Sequence, residues 1–430
     1  MAGVSGSAAG PEKPLARGWG SGAVSTEAAA LRRRFPTVEH LDRHARRRIP
    51  RFAYDFVAGG VGDDRCVARN RAAMDAVQLL PRYGIDVSKP ETGVELFGRR
   101  YAMPAGVAPM GLAGLAWPGV DEMLARAAQA ARIPYVSSTV ANAPLERLAA
   151  LAPDVFWFQL YNLPGNDFAV ARAIIARAEA AGAHALLLTV DVPARQKRPR
   201  DVRNGLSVPF RAGLRTVMDV ARAPLWGLEV LRRGQPRFEN FLPYLEEPPA
   251  TAALAAFAYH RMAGPLTWEA IARFRDLWPR ALVIKGILHP EDAERAVALG
   301  ADGILVSNHG GRQLDAAPAS IDALPSIARQ VAGRATLLLD GSVRSGLDVL
   351  RALSLGAEAT LSGRAFLLGA AALGERGAPH VAALLAEEIR AGMAQLGLRR
   401  PGDAAGLDVV HPAALDLPPR SRPTAARSAA

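Results

Sequence analysis

The sequence predicts an α/β fold: a (β/α)8 barrel with a helical N-terminal segment and a long insertion after its fourth strand. Three observations carry this. Eight short apolar runs alternate with stretches of amphipathic helical periodicity. Three of those helical stretches end on the same kind of glycine stop (Ala181-Gly182-Ala183, Leu299-Gly300-Ala301, Leu355-Gly356-Ala357), which leads straight into the next strand. Polar, charged or glycine residues crowd the C-terminal end of every apolar run, the face on which such barrels keep their chemistry. A doubly wound open sheet would need a reversal of winding that nothing in the chain marks.

Taken in order, the expected strands are Met103–Ala108, Tyr135–Ser138, Val155–Leu160, Ala185–Val190, Leu282–Lys285, Gly303–Val306, Thr336–Asp340 and Ala359–Ser362. Helices are expected over Asp121–Arg132, Pro144–Leu151, Asp167–Ala181, Thr267–Leu277, Pro290–Leu299, Ser320–Val331 and Ser345–Leu355, with a longer one from Phe366. Pro290 suits a first helical turn, and Ser320 suits an N-cap. More than seventy residues separate Val190 from Thr267, too many for an idle loop. This insertion, about residues 205–262, mixes Arg211, Arg215, Arg222, Arg232, Arg233 and Arg237 with Phe210, Leu214, Trp226, Leu231 and Phe241. Such a mixture suits peripheral contact with an anionic membrane surface, or a lid folded over the barrel mouth.

The 430 residues, half of them apolar, suffice for one barrel-sized domain over residues 31–412 with tails on either side. Residues 1–30 and 413–430, rich in Gly, Ala, Ser, Pro and Arg, are expected to be disordered. The net charge of +11 suits anionic ligands or surfaces, or reflects only an arginine-rich proteome; no nucleic-acid-binding motif accompanies it. Cys66 is the one cysteine, which excludes a disulfide framework and a cysteine-built metal site and agrees with a reducing cytoplasm. No metal is expected. The uncharged stretch Tyr101–Val120 is broken by Pro104, Pro109 and Pro118, so strand and loop describe it better than a membrane span.

The strand ends propose the chemistry. Strand six runs into Ser307-Asn308-His309-Gly310-Gly311-Arg312-Gln313-Leu314-Asp315. A histidine able to take a proton stands three residues before an arginine able to hold a carboxylate, and two glycines let backbone approach a ligand. Strands seven and eight end at Asp340-Gly341-Ser342-Val343-Arg344 and Ser362-Gly363-Arg364, the usual phosphate site of barrels. Lys285 closes an apolar strand and must face a polar partner, such as the flavin locus that becomes anionic on reduction. Ser138, Gln159 and Thr189 could hydrogen-bond other edges of a flavin ring.

Read without such partners, these residues are plainer. A lone histidine is more often structural than basic, and His260, His289, His380 and His411 are assigned no role. Asp191 by itself suits a helix cap, and Arg198 lies in a basic run from Arg195 to Arg203. Gly59-Gly60-Val61-Gly62 lacks the preceding strand of a dinucleotide fingerprint. A barrel relying on a nucleophilic cysteine is disfavoured, because Cys66 precedes the first strand. A catalytically dead barrel would waste the intact constellation.

From about Phe52 to Gly397 the chain resembles the FMN-dependent α-hydroxy-acid dehydrogenase/oxidase family. The blocks that carry the likeness are Asn70-Arg71, Pro81-Arg82, Ala108-Pro109, Ser137-Ser138, Gln159-Leu160-Tyr161, Thr189-Val190-Asp191, Arg198-Pro199-Arg200-Asp201, Lys285-Gly286, the nine-residue segment, Asp340-Gly341 and Gly363-Arg364. The resemblance implies oxidation of an L-2-hydroxy acid to the 2-oxo acid. His309 would be the base and Asp191 its hydrogen-bonded stabiliser. Arg312 and Arg198 would hold the substrate carboxylate, and Tyr161 the hydroxyl or developing carbonyl. FMN would lie against Ala108, Pro109, Met110, Ser138, Gln159, Thr189 and Lys285, with its ribityl phosphate held by Ser307, Asp340, Gly341, Ser342, Arg344, Gly363 and Arg364. It also implies a homo-oligomer, a tetramer, and an electron acceptor that is a quinone, another carrier or oxygen. Hydride and carbanion routes both stay open. Phe56 stands where the family usually has a tyrosine touching the carboxylate, which favours a larger or aromatic substrate side chain. Gly111 stands where many oxidases have alanine and, with Trp117-Pro118 and the insertion, leans toward the mandelate and lactate dehydrogenases.

Overall fold

The computed structural model describes residues 26–417 except 195, 207–212, 245–261 and 263. Its centre is a closed barrel of eight parallel strands: β1 (Ala105–Val107), β2 (Tyr135–Ser138), β3 (Phe156–Leu160), β4 (Ala185–Thr189), β5 (Ala281–Ile287), β6 (Gly303–Val306), β7 (Thr336–Leu339) and β8 (Ala359–Ser362). Each strand pairs with the next, and β8 closes on β1 through Thr360↔Ala105 and Ser362↔Val107. The runs are continuously apolar because barrel strands are covered on both faces, outside by helices and inside by one another's side chains. Leu186, Leu187, Leu188, Ile284 and Leu305 have no accessible surface.

The strand expectations hold to within two or three residues. β1 is shorter than its apolar run, and β5 continues two residues past Lys285. It does so through an irregularity: Lys285 is opposite Leu305 and Ile287 opposite Val306, so Gly286 is squeezed out of register. Gly286 has φ +107°, and a Cβ there would lie 2.6 Å from the Asp191 side chain. Only glycine allows β5 to pass so close to Asp191.

Helices cover the barrel at the expected places, including Pro290–Ala298 with Pro290 in its first turn. Two expectations fail in detail. The cap of helix Ser320–Val331 is Ala319, without a side-chain bond; the Ser320 hydroxyl instead accepts the Asn308 N–H at 3.1 Å. The single helix expected from Phe366 is two, Arg364–Leu373 and Gly377–Leu396, broken at Gly374 with φ +62°. Ordered structure also starts earlier than composition indicates. Helix Thr26–Arg34 is tied down by Glu27–Arg376 and Arg32–Glu387 ion pairs, while residues 1–25 and 418–430 lie outside the described part.

The N-terminal segment adds helices Val38–Arg48, Arg51–Ala58 and Arg65–Ala76, which pack on the barrel beside its C-terminal end. The connection after β4 first forms helix Pro199–Arg203, and the insertion then contributes helices Leu214–Ala221 and Pro224–Arg233 and a 3-10 turn at Glu239–Tyr244. Phe210 and Arg211 fall outside the described residues. Asn240 fastens the insertion to the barrel: fully buried, it donates to the Ser138 and Thr139 carbonyls and accepts the Leu145 N–H. Trp226 adds an indole hydrogen bond to the Leu115 carbonyl. No helix among the described residues is long and apolar enough to cross a membrane.

Candidate active site

The C-terminal ends of the strands open into a cleft of about 860 Å³, part of it open to solvent. Most residues named from sequence meet in its wall: Phe56, Ala108, Pro109, Met110, Gly111, Tyr161, Lys285, His309, Arg312, Asp340, Gly341, Ser342, Arg344, Gly363 and Arg364.

His309 follows β6 in a left-handed conformation, φ +58°, with Gly310 and Gly311 left-handed after it. A non-glycine residue there is strained and persists only when its surroundings over-determine it. They do. The Ser307 hydroxyl accepts the His309 N–H, the Asn308 amide oxygen accepts the Gly311 N–H, and Arg364 donates to the Gly310 carbonyl at 2.8 Å. Asn308 is itself locked by a reciprocal amide pair with Asn70, at 2.7 and 2.9 Å, reaching across from helix Arg65–Ala76.

The imidazole is thereby aimed with Nδ1 at Asp191 Oδ1, 2.8 Å away, and Nε2 toward the cleft, 3.4 Å from the Tyr161 hydroxyl. Burial pulls the His309 pKa below the ordinary imidazole value, with Asp191 opposing. Burial pushes Asp191 up, but His309 and Lys285 outweigh it and hold the carboxyl below its usual range. The pair is therefore a neutral imidazole and a carboxylate at neutral pH, the resting state of a general base. Burial likewise raises the Tyr161 phenol, which stays protonated and able to donate.

Lys285 ends up 3% exposed, which would be costly alone. It donates to Ser307 Oγ at 2.7 Å and lies 3.1 Å from Asp340 and 4.0 Å from Asp191. Burial lowers its pKa, yet the two carboxylates prevail and keep it raised, so a fixed cation sits in the cleft wall.

The arginines divide. Arg312 donates to the Phe56 and Gly59 carbonyls and lies over the Phe56 ring, 4.8 Å from its centre. Arg364 gives three donors to the carbonyls of Val57, Gly59 and Gly310, and burial holds its pKa down at about 10. Arg198 is not in the cleft wall. It precedes helix Pro199–Arg203, 3.8 Å from Asp201, and acts on Arg312 across the mouth as a repelling charge. Ser138, Gln159 and Thr189 also stand behind the wall. Register puts Ser138 beside Gln159 on β2 and β3, Thr189 lies two residues beyond the β4 partner of Gln159, and each side chain bonds the next at 2.9 Å.

Sequence reasoning missed Asn70, Asn308, Asp201 and Asn240 as structural partners of the site. Asn70 and Asp201 stood inside the resembling blocks, but nothing local announces a partner 238 positions away.

A flavin mononucleotide fits this donor set. At the β7 and β8 ends, Arg344 Nε and Asp340 Oδ1 are buried without a hydrogen-bond partner among the described residues. Gly341, with φ +102°, and Gly363 line the cleft beside them, where a Cβ would meet Ser320 and Met110 respectively. Arg344, Ser342 and the Gly341 and Gly363 backbone would hold the phosphate end, and Lys285 the ring edge that gains charge.

Barrel, buried cation, histidine–carboxylate pair and phosphate-type strand ends define an oxidoreductase of the (β/α)8 class. Residues 45–409 match the model of a family described as FMN-dependent dehydrogenase. The chain belongs to that family and is an FMN-dependent 2-hydroxy-acid oxidoreductase. It is 42% identical over 356 residues to the L-lactate dehydrogenase of Caulobacter vibrioides, covering 83% of this chain and 92% of that one. It is 38% identical over 361 residues to the (S)-mandelate dehydrogenase of Pseudomonas putida, covering 84% and 90%. A crystal structure of the monotopic membrane protein (S)-mandelate dehydrogenase superposes with a TM-score of 0.82 at 37% identity, covering 86% of this chain and 98% of that one. A mandelate oxidase structure gives 0.74 at 37% identity, covering 88% and 99%.

Proposed function

We propose that the chain oxidises an L-2-hydroxy acid with a bulky or aromatic side chain, of the mandelate kind, and passes the electrons to a membrane quinone. The observation that carries this is the His309–Asp191 pair at 2.8 Å, facing a cleft that also presents Arg312, Tyr161 and Lys285. Arg312, with Arg198 beside the mouth, holds the substrate carboxylate in a planar fork. Tyr161 donates to the substrate hydroxyl oxygen. His309 Nε2 takes a proton from the substrate, and Asp191 stabilises the imidazolium that forms. FMN supplies, when bound, a two-electron acceptor whose growing negative charge Lys285 offsets.

Phe56 and Met110 line the cleft and favour an apolar substrate side chain. Tyr54, the nearest tyrosine in sequence, is unavailable for the carboxylate because it donates to Asp42 at 2.7 Å. The insertion supports a membrane-borne acceptor. Leu214, Val217 and Met218 on one helix, and Leu225, Leu228 and Leu231 on the next, turn to solvent, with Leu231 85% exposed. The monotopic mandelate dehydrogenase is similar over nearly its whole length. A second reading, an oxygen-using oxidase, is favoured by the likeness to mandelate oxidase.

Anaerobic titration of the FMN-loaded enzyme with a panel of 2-hydroxy acids tests the substrate, and reoxidation by a quinone analogue against oxygen tests the acceptor. Aryl and bulky acids should bleach the flavin fastest, and the quinone should restore it. Fast reoxidation by oxygen alone refutes the quinone reading. His309→Gln should keep FMN and lose bleaching; a normal rate there refutes the base assignment. Light scattering checks the homo-oligomer.

A further inference from the structure

A second hollow, of about 1300 Å³ including its opening to solvent, lies outside the cleft, between the N-terminal segment and the insertion. Four helices bring arginines to it: Arg46 from Val38–Arg48, Arg51 from Arg51–Ala58, Arg200 and Arg203 from Pro199–Arg203, and Arg215 from Leu214–Ala221. Among the described residues Asp55 is the one carboxylate in its wall. That carboxylate is already engaged, 3.4 Å from Arg51, 3.6 Å from Arg200, and accepting the Asn204 amide at 2.9 Å. Arg200 is further neutralised by Asp64 at 2.6 Å. Arg46, Arg203 and Arg215 have no ion-pair partner among the described residues.

Three exposed guanidiniums gathered without counter-charge maintain a local positive potential, and their planar donor forks match phosphate oxygens. The neighbouring surface is apolar. Leu214, Val217 and Met218 are 78, 61 and 44% exposed on the helix that supplies Arg215, and Val202 is 57% exposed beside Arg203. Cationic groups set behind an outward apolar face suit a bilayer interface, where the phosphates lie just above the acyl chains.

We propose that this hollow is a headgroup site: Arg46, Arg203 and Arg215 bind the phosphate of an acidic phospholipid while Leu214 and Val217 enter the acyl layer. The proposal rests on the membrane reading of the insertion and adds to it a specific lipid chemistry. It places the barrel mouth beside the bilayer, where a lipid-soluble acceptor resides.

The test is co-sedimentation of the FMN-loaded full chain with neutral phosphatidylcholine vesicles and with vesicles containing phosphatidylglycerol. Wild type should prefer the anionic vesicles. Arg46→Gln, Arg203→Gln and Arg215→Gln combined should lose anionic binding on the order of 100-fold, about fivefold per arginine, with flavin content and turnover with a soluble acceptor unchanged. Arg222→Gln, Arg232→Gln and Arg237→Gln combined remove the same charge from the neighbouring surface and should cost about fivefold at most. Equal losses in the two triples overturn the site in favour of diffuse attraction. Binding that is lost in Leu214→Ser/Leu228→Ser but shows no anionic preference in wild type overturns the site and leaves membrane contact standing. Failure of wild type to bind any vesicle overturns both. If inorganic phosphate raises the melting temperature of wild type but not of the first triple, and vesicles show no preference, the ligand is a soluble phosphate and the lipid assignment is wrong.

Discussion

Replacing Asp191 by Asn removes one negative charge from the base and little else. The amide is the same size, and Lys285 keeps Ser307 and Asp340 as partners, so FMN should still load. His309 Nδ1 and Asp191 Oδ1 are 2.8 Å apart, which puts the centres of the two charges roughly 4 Å apart when the imidazole is protonated. At an effective dielectric of about 20, the lost attraction is about 4 kcal/mol. That attraction exists only once the proton has moved, so it belongs to the transition state. Reduction of the bound flavin should slow by on the order of 10³-fold, with little change in the substrate concentration needed for half-saturation. A second readout follows from sign. The carboxylate favours protonated His309, so its removal lowers the histidine pKa, already below the ordinary value through burial. The same ~4 kcal/mol is worth about three pH units, so the acid limb of the rate–pH profile should move to lower pH by up to about that much. Anaerobic rapid mixing across pH, following flavin bleaching, measures both. Reduction within tenfold of wild type, or an acid limb that stays in place, refutes the pairing as the source of the base's strength.

Three further outcomes are expected. A Cβ at Gly111 would overlap Val140 Cγ2, so Gly111→Ala should destabilise the protein by about 1–3 kcal/mol in denaturant unfolding, and Gly111→Ala/Val140→Ala should recover most of it; no recovery would show the space was not limiting. Asn70→Ala leaves Asn308 short of its amide partner beneath the His309 turn and should cost about 1–3 kcal/mol together with a fall in kcat, whereas a loss of stability alone would separate the turn from the chemistry. Asp121 is buried and its carboxyl is pushed up to about 7 by that burial. Between an unfolded value near 4 and this folded value, the native state holds the extra proton, so stability falls as pH rises through that window. Asp121→Asn should therefore stabilise the chain by up to about 4 kcal/mol at pH 8 and much less at pH 4; an equal gain at both pH values contradicts it.

The barrel was legible because parallel strands buried on both faces leave unbroken apolar runs, and glycine stops mark their beginnings. The chemistry at their ends was legible wherever one side chain defines it, as with His309 and Lys285. What stayed hidden depends on partners distant in sequence. Ser320 looks like a cap, but a backbone N–H from the neighbouring β6 end competes for its hydroxyl. Ser138, Gln159 and Thr189 look like three free hydrogen-bonding groups, and the closeness of three neighbouring strand ends makes them one chain of bonds. Arg364 reads as a phosphate ligand from its place after β8, yet its donors go to backbone carbonyls, acceptors that every residue offers and no sequence distinguishes.

That same Arg364 sets a timetable. Its carbonyl partners at Val57 and Gly59 precede it by 307 and 305 positions, so they leave the ribosome long before it does. A nascent chain can stack its early strands and helices, but it cannot tie the N-terminal wall to the His309 turn until the eighth strand has emerged. The cleft is thus closed only late in synthesis. A chain stalled anywhere before residue 364 lacks the donors that tie the His309 turn to the N-terminal wall, and keeps only the Ser307, Asn308 and Asn70 bonds beneath it.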